Sequence, residues 1–474
     1  MGIAFVPIWR IVVSWLRCRQ LSALPQWGPH ARSPRYRRGF QQVTDDNDSL
    51  MTIDHVYSAP NPHVVSSEGI YLWDRDGRRY LDGEACNGGS LLGYDHSIID
   101  AAARNLAKLP AAPSFVETDV RMRLGRRLRK IFEPAGTQSG RVIFDTSGAS
   151  AIETAVKLAG NYLGDHQVFV LAGAYHGRSM YTSALSSSFR YRQTSSISSY
   201  PVVRLPTVSS DAGAESVAHS TSIAVQLISA ELWGGTHSPG YRGRRIRPIL
   251  IVEAFQNVGG GNLLSYNYLR AICKQVQDAG GLVIADETFT GIYRTGPLWS
   301  YMPAEIFPDI VVGCKALSNS MAPFSCIWAA NHVSHPETAQ PGLQSATFAS
   351  CALTLGIVHA VLDKIDEIGL KGLGEKAMHL QQKFATIGQQ LKAECPTIIR
   401  SHSAIGAILK LQLNGPQAHR VRHKLLTAEN DRLLVSSTGL APDTILVHPS
   451  LLVSDHEIDA MYGLLRVALR NDEL

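Results

Sequence analysis

Apolar and polar residues alternate most regularly near the N-terminal end of the chain. The sequence GIYLWDRDGRRYLDG, from Gly69 onward, alternates on both sides of Asp76-Gly77. A D-G pair between two alternating runs is the signal of a hairpin with a tight turn. We therefore expect an antiparallel pair of strands here.

Helical spacing of apolar residues follows this hairpin and returns after residue 347. It predicts helices over Ile98 to Leu109 and Val120 to Ile131, the second with arginines on its outer face. Two longer helices are predicted over Leu353 to Ile368 and Leu373 to Glu394. Strand-like runs near Ile405 to Leu413 and Thr444 to His448 complete what we interpret as a second, smaller domain.

The middle of the chain contains short apolar runs separated by helical stretches. They are Arg141 to Asp145, Gln167 to Leu171, Ile249 to Glu253, Leu282 to Asp286 and Ile310 to Cys314. Continuous hydrophobicity indicates strands that are covered on both faces, and hence a mostly parallel sheet flanked by helices. Ligands bind beyond the carboxyl ends of such strands. The polar residues at those ends are Ser147, Glu253, Asp286 and Lys315.

The first fifty residues differ in composition from the rest. The chain has a formal net charge of +5, but seven arginines precede Asp45, the first acidic residue, and subtracting these seven leaves −2. The body of the protein therefore lacks the basic surface that nucleic-acid binding requires. The arginine-rich leader fits either a mitochondrial transit peptide or a disordered extension before a true start at Met51.

Cysteine usage and apolar segment lengths exclude further classes of protein. The seven scattered cysteines include no C-x-x-C pair, so we expect neither a disulfide framework nor a metal site. A reducing compartment, the cytoplasm, follows unless the leader is a transit peptide. The apolar run from Ile3 to Leu16 is too short to cross a bilayer, and we expect no membrane association.

Three places along the chain are candidates for chemistry. In RVIFDTSGASAIETAVKL a strand leads through a small-residue turn into a helix, where Ser150 and Glu153 could form a capping box. Free amides at a helix N-terminus suit a phosphate, although a Ser-Gly turn is usually ordinary capping.

Asp286 lies at the end of a buried strand, where a carboxylate is unfavourable without a partner. A cation such as a protonated pyridine nitrogen, an arginine, or the N-terminus of the next helix could stabilise its charge. Lys315 follows an apolar strand and precedes an irregular stretch, ALSNSMAPF. It is either a lysine with a depressed pKa that forms an imine or an ordinary solvated lysine.

The order of these segments resembles the class III, or omega-type, pyridoxal-phosphate-dependent aminotransferases. The resemblance covers roughly residues 60 to 470 and rests on several ordered blocks. The blocks are YLWDRDGRRYLD, FDTSGASAIETAVKLA, AYHGRS, ILIVEAFQ, DETFTGIYRTG, CKAL and ATFAS. It implies an α/β protein with the fold type I, aspartate-aminotransferase-like architecture. Residues 116–340 would form the large cofactor-binding domain, and residues 51–115 with 341–474 the smaller α+β domain.

The resemblance also implies roles for individual residues. Lys315 would carry pyridoxal phosphate as a Schiff base, Asp286 would bind the pyridine nitrogen, and Tyr175 would stack on the ring. The remaining cofactor-binding residues would be Ser147, Gly148 and Ala149 at the phosphate, with His176, Glu253, Thr288 and the Thr347 of a partner subunit. A homodimer with shared sites follows, acting on a small amine donor and a carbonyl acceptor.

Departures from the family pattern concern the substrate pocket. Many members bind an α-carboxylate through an arginine that is gated by a glutamate; here Leu446 and Val258 occupy these positions. Joint loss of the two charges is coherent, because losing one alone would leave the other buried and unpaired. Phe289 and Thr288 replace the usual glutamine and valine, and Arg400 lies near a family arginine or is a surface residue.

These departures predict an aminotransferase of specialised metabolism that does not bind an α-carboxylate in the usual way. A bulky amine, a hydrophobic ketone or a carrier-tethered acyl chain is the expected substrate. A racemase, aminomutase or decarboxylase on the same scaffold is the alternative, and a non-catalytic cofactor-binding paralogue is a lesser one.

Overall fold

A computed structural model describes residues 62–470, apart from 107–108, 110, 134–138, 189–200, 238–245, 341, 430 and 439. The predicted leader, residues 1–50, lies outside the described residues. Within the described ranges, none of the helices combines the length and the apolar character that a bilayer crossing requires.

Seventeen strands lie in the described part of the chain. In chain order they are β1 Val64–Glu68, β2 Tyr71–Asp74, β3 Arg79–Asp82, β4 Gly140–Asp145, β5 His166–Leu171, β6 Val202–Leu205, β7 Arg247–Val252, β8 Phe255–Gln256, β9 Asn262–Leu263, β10 Leu282–Glu287, β11 Ile310–Gly313, β12 Ser325–Ala330, β13 Ile399–Ile405, β14 Ile408–Leu413, β15 Arg432–Leu434, β16 Ser436–Thr438 and β17 Ala441–Val447. The longer helices are His96–Leu106, Asp119–Phe132, Gly148–Leu163, Met180–Leu185, Ala214–His237, Tyr266–Asp278, Ala352–Ile368, Leu370–Glu394, Ala418–Thr427 and Asp455–Arg470.

The central sheet has seven strands in the order β4-β12-β11-β10-β7-β5-β6. Adjacent strands pair in parallel, except that β12 runs antiparallel to both β4 and β11. The prediction of a mostly parallel sheet is therefore confirmed, and so are all five predicted strands. Strands β6 and β12 were not predicted.

The N-terminal hairpin is present as predicted. β2 and β3 pair antiparallel across the Asp76-Gly77 turn, in which the Gly77 N–H donates to the Asp74 carbonyl at 3.0 Å. β1 extends this sheet on one side, and β15 pairs with β3 in parallel on the other. A C-terminal strand thus joins the N-terminal hairpin, an arrangement that suits the proposed small domain. The boundaries after residues 115 and 340 stay predictions.

A second antiparallel sheet has the order β13-β14-β17-β16. The run Ile405 to Leu413, predicted as one strand-like segment, is divided between the end of β13 and the whole of β14, with Gly406 and Ala407 between them. Helix Leu370–Glu394 covers one side of this sheet through buried residues such as Phe384 and Leu391. The sheet positions Leu446 on β17, beside Lys410 on β14.

Candidate active site

The turn between β4 and helix Gly148–Leu163 is closed by two serines. The Ser147 side chain accepts a hydrogen bond from the Ser150 N–H, and the Ser150 hydroxyl accepts one from the Ser147 N–H, both at 3.2 Å. The predicted capping box of Ser150 with Glu153 is therefore wrong by three residues. Ser147 has the extended backbone of a cap, whereas Ser150 is already helical, and Glu153 instead accepts a bond from the Ser179 hydroxyl.

The same helix N-terminus provides an open cradle for an anion. The N–H groups of Gly148 and Ala149 have no acceptor within the helix, because they belong to its first turn. A Cβ on Gly148 would lie 2.8 Å from Cγ2 of Thr288, so only glycine permits this approach. Thr288 Oγ1 is buried and has no hydrogen-bond partner among the described residues. Together these groups suit a phosphate.

Asp286 lies at the carboxyl end of β10 and is paired with a histidine. His176 Nδ1 lies 2.8 Å from Asp286 Oδ2, and the Thr288 N–H donates to Oδ1 at 3.0 Å. Burial alone would raise the pKa of Asp286, but the hydrogen bond and charge of His176, with the bond from the Thr288 N–H, bring it below its ordinary value. The sequence left an arginine partner or a helix cap open for Asp286, but the structure pairs it with His176.

A second buried carboxyl group, Glu253, follows β7 beside Asp286. Its Oε2 accepts the N–H of Tyr175 at 2.8 Å, which fixes the half-buried Tyr175 at the end of β5. Burial and the charge of Asp286 raise the pKa of Glu253 well above its ordinary value. Of this pair, Asp286 is therefore the stronger acid and Glu253 retains its proton to a higher pH, as expected for two acids that share a buried site.

Lys315 follows β11, the strand adjacent to β10. It opens a single 3₁₀ turn, Lys315–Ser318, where the sequence predicted an irregular stretch. Burial lowers the pKa of the half-buried Lys315 amine, and the neighbouring acidic groups of Cys314, Asp286, Glu253 and Glu84 oppose that shift only in part. A larger fraction of neutral amine follows, which is the form that attacks a carbonyl carbon.

Phe289 and Leu446 form an apolar wall next to this lysine. The Lys315 Nζ lies 5.1 Å from the centroid of the Phe289 ring. Phe289, Leu446, Phe255 and Ile408 belong to one buried cluster. Leu446 is 0% exposed, and a Cβ on Gly261 would lie 2.5 Å from its Cδ2. The position therefore has no room for an anion. Val258 is half-buried in the same loop as Gly261.

Two of the predicted residues lie apart from this cluster. Thr347 is exposed, next to Phe348, which is 72% exposed. Arg400 is exposed on β13, and its Nη1 lies 3.7 Å from Oδ2 of Asp443. Arg400 therefore lies at the surface, which is one of the two alternatives that the sequence left open.

Two polar residues near Lys315 were missed from the sequence. Glu84 follows β3, is half-buried, and interacts electrostatically with Lys315. His448 follows β17, is 0% exposed, and meets the edge of the Phe289 ring at 5.3 Å between centroids. The only sequence signal for Glu84 was a carboxylate in a glycine-containing stretch, LDGEACNGG, directly after a strand.

Comparison with known protein families identifies the architecture that carries this site. The sequence profile of the family described as "Aminotransferase class-III" matches residues 52–469. The chain belongs to the class III aminotransferases. It is therefore a transaminase that depends on pyridoxal phosphate, as its sequence blocks indicated.

Curated relatives of this class III aminotransferase carry related names. An acetylornithine aminotransferase from Streptomyces coelicolor is 26% identical over 416 residues, which cover 87% of this chain and 92% of the relative. An acetylornithine/succinyldiaminopimelate aminotransferase from Buchnera aphidicola is 26% identical over 435 residues, covering 90% and 95%.

Solved structures show the same fold. An omega-aminotransferase from Paracoccus denitrificans superposes with a TM-score of 0.77 at 20% identity, over 90% of this chain and 98% of that chain. An omega transaminase from Pseudomonas jessenii, solved in complex with PMP, gives a TM-score of 0.75 at 20% identity, over 86% and 92%. The predicted fold type I architecture is therefore confirmed.

The residues present in this class III aminotransferase fit pyridoxal phosphate. The cradle of Gly148, Ala149 and the unpartnered Thr288 hydroxyl suits the phosphate. The ionised Asp286 suits a protonated ring nitrogen, because a buried carboxylate is stabilised by a cation. The depressed pKa of Lys315 suits covalent attachment to the carbonyl group.

Proposed function

We propose that this transaminase moves an amino group from an amine donor to a carbonyl acceptor without binding an α-carboxylate through an arginine. The observation that carries the proposal is the closed, apolar surrounding of Leu446. An anionic substrate group placed there would lose its hydration and gain no partner, at a cost of several kcal/mol. Amines and ketones with apolar bodies pay no such penalty, which supports a role in specialised metabolism.

We assign the cofactor-binding roles by chemistry and position. Pyridoxal phosphate, when bound, supplies the carbonyl group that accepts the amino group and a ring that takes up electrons. Asp286, held ionised by His176, would keep the ring nitrogen protonated. Glu253 would fix Tyr175 for stacking on the ring through the Tyr175 N–H. Ser147, Gly148, Ala149 and Thr288 would hold the phosphate.

Lys315 would serve both as the point of attachment and as the proton carrier. Once an amine donor displaces it, its free amine is positioned to take a proton from the substrate carbon. Burial lowers the pKa of this amine and so increases the neutral fraction at neutral pH. The apolar wall of Phe289 and Leu446 would exclude water from the space in which the proton moves.

We further propose a homodimer in which Thr347 contributes to the cofactor site of the partner subunit. The exposed position of Thr347, beside the largely exposed Phe348, supports an intersubunit role over one within its own chain.

We also propose that the protein is located in the cytoplasm, which is supported by the free state of the six cysteines in the described residues. A mitochondrial location would follow if residues 1–50 are a transit peptide.

The half-reaction with an amine donor tests the proposed function. Purified holoenzyme should show a visible absorption band that decays when an apolar amine is added and recovers when a ketone is added. Glutamate and alanine should convert the band at least about 100-fold more slowly, because the clamp for their carboxylate is absent. Fast conversion by glutamate would contradict the substrate class, and a band that persists with every amine would contradict transamination.

A further inference from the structure

A strained turn follows the hairpin and lies beside the Lys315 site. Residues 85–87 all have positive φ angles, of 49°, 49° and 58°. The left-handed conformation is unfavourable for a residue with a side chain, so three in succession persist only where the surroundings fix them. Asp82 is one such constraint, because its Oδ1 accepts the N–H groups of Glu84 and Ala85 at 2.9 and 2.8 Å.

The end of this turn packs directly on the reacting lysine and its apolar neighbour. A Cβ on Gly89 would lie 3.1 Å from the Lys315 Cβ and 1.9 Å from the Ser320 Oγ. A Cβ on Gly88 would lie 2.3 Å from Cε2 of Phe289. The turn thus forms a wall of the Lys315 site, and the hydrogen bond from the Glu84 N–H to Asp82 fixes the main chain of Glu84 at its start.

The Glu84 carboxyl group is the acidic group on this wall. Burial raises the pKa of Glu84 first, and the charge of Asp82 raises it further, while Arg422 and Lys315 oppose both; the result is about 7. Glu84 and Lys315 therefore stabilise each other's charges in the free protein.

A buried imidazole lies next to the main chain of Glu84. Both ring nitrogens of His448 are buried without a hydrogen-bond partner among the described residues. Burial and the charge of Arg294 lower the pKa of His448 to about 3, so the ring is neutral and offers one donor and one acceptor. Its N–H main-chain group donates to the Gly83 carbonyl at 2.7 Å, and the main chain of Glu84 lies beside its ring. Buried polar atoms without partners point to a ligand that supplies them.

We propose that Glu84 is a specificity-determining residue that binds a second cationic group of the amine donor, so that diamines are preferred to monoamines of equal length. The neutral His448 ring, beside the Glu84 main chain, would offer a second acceptor for that group. The inference rests on the proposed function and names its substrate class. A pocket that lacks a cation at Leu446 and carries a carboxylate at Glu84 is complementary in charge to a diamine and opposed to an amino acid.

The test compares two amines with the same four-carbon chain, butylamine and the diamine with an amino group at each end. For each, kcat/KM of the half-reaction is measured from the decay of the visible band of the holoenzyme. We expect the wild-type protein to favour the diamine about tenfold, mainly through KM, as a charge-assisted hydrogen bond to a half-buried carboxylate would give. Glu84→Gln should reduce this preference to about twofold or less, because it should slow the diamine more than butylamine.

Two further variants make the result specific. Glu84→Asp retains the charge and should retain most of the preference. Glu375→Gln removes an exposed carboxylate that pairs with Lys371 on helix Leu370–Glu394, and should behave as the wild-type protein. An unchanged visible spectrum in each variant shows that the cofactor site is intact.

The outcomes separate this inference from the function on which it rests. Equal rates for the two amines in the wild-type protein, or equal slowing of both by Glu84→Gln, would overturn the role of Glu84 while leaving transamination in place. The wild-type comparison decides even if Glu84→Gln does not fold. Failure of every amine to convert the band would overturn the proposed function, and the role of Glu84 with it.

Discussion

At the scale of single residues, the site is organised by how its buried charges are paired. Asp286 is 5% exposed, yet it remains ionised because His176 and the Thr288 N–H stabilise its charge. Glu253 accepts a hydrogen bond from the Tyr175 N–H, but burial and the charge of Asp286 raise its pKa well above the ordinary value. Two carboxyl groups of similar burial thus acquire opposite pKa shifts from their neighbours. We expect only the ionised Asp286 to serve the ring nitrogen.

Leu446 gives a prediction at the same scale. Leu446→Arg should lower the free energy of unfolding by about 3–5 kcal/mol, because the new charge would be buried among Phe255, Phe289 and Ile408 without a partner. Leu446→Met, the control, should cost less than about 1.5 kcal/mol, since it keeps the volume and the apolar character. Urea unfolding of the holoenzyme measures both. An arginine variant as stable as the methionine variant would show that the position can accept a charge, contrary to our account of substrate choice.

At the scale of elements, the sequence predicts strands and helices that have a regular pattern of apolar residues. It does not predict elements and caps that depend on tertiary contacts. Five of the seven strands of the central sheet are predicted by continuous apolar runs, and all five are present in the structure. β12 was missed, although SCIWAA is as apolar as the others, because it follows the irregular stretch after Lys315 and runs antiparallel. The Ser147 cap was misplaced because its sequence contains several small polar residues, and only the backbone angles show which one precedes the helix.

The same limit applies to the site residues. Four of the site residues lie at or after the carboxyl ends of strands in the central sheet: Tyr175, Glu253, Asp286 and Lys315. A parallel sheet brings such residues to one edge, so their proximity could be expected from the pattern. Glu84 and His448 follow β3 and β17, which belong to other sheets. Their approach to Lys315 depends on how a strained turn packs, which no periodicity encodes.

At the scale of the whole molecule, we propose that each Thr347 contributes to the cofactor site of the partner subunit, which makes the dimer the functional unit. A hybrid of one Lys315→Ala chain and one Thr347→Ala chain tests it. If Thr347 acts across the interface, the site built on the intact lysine receives an intact Thr347 from the partner, and the other site carries both defects. We expect about half of the wild-type activity per hybrid dimer, and much less from either homodimer.

The result depends on the direction in which Thr347 acts. If it served the site of its own chain, each site of the hybrid would carry one defect, and the hybrid would be no more active than the mean of the two variants. Differently tagged chains, purified through both tags, supply the hybrid, and a hybrid of two wild-type chains prepared in the same way is the control. Activity at that lower level would contradict the shared site.

The central claim is that Lys315 carries pyridoxal phosphate, and peptide mapping tests it most directly. Reduction of the holoenzyme with borohydride makes the link to the lysine permanent, and proteolysis followed by mass spectrometry locates it. We expect the pyridoxyl phosphate group on the peptide that contains Lys315, and no labelled lysine in the Lys315→Ala protein. A label on another lysine, or an unlabelled Lys315 in protein that shows the visible band, would contradict the account.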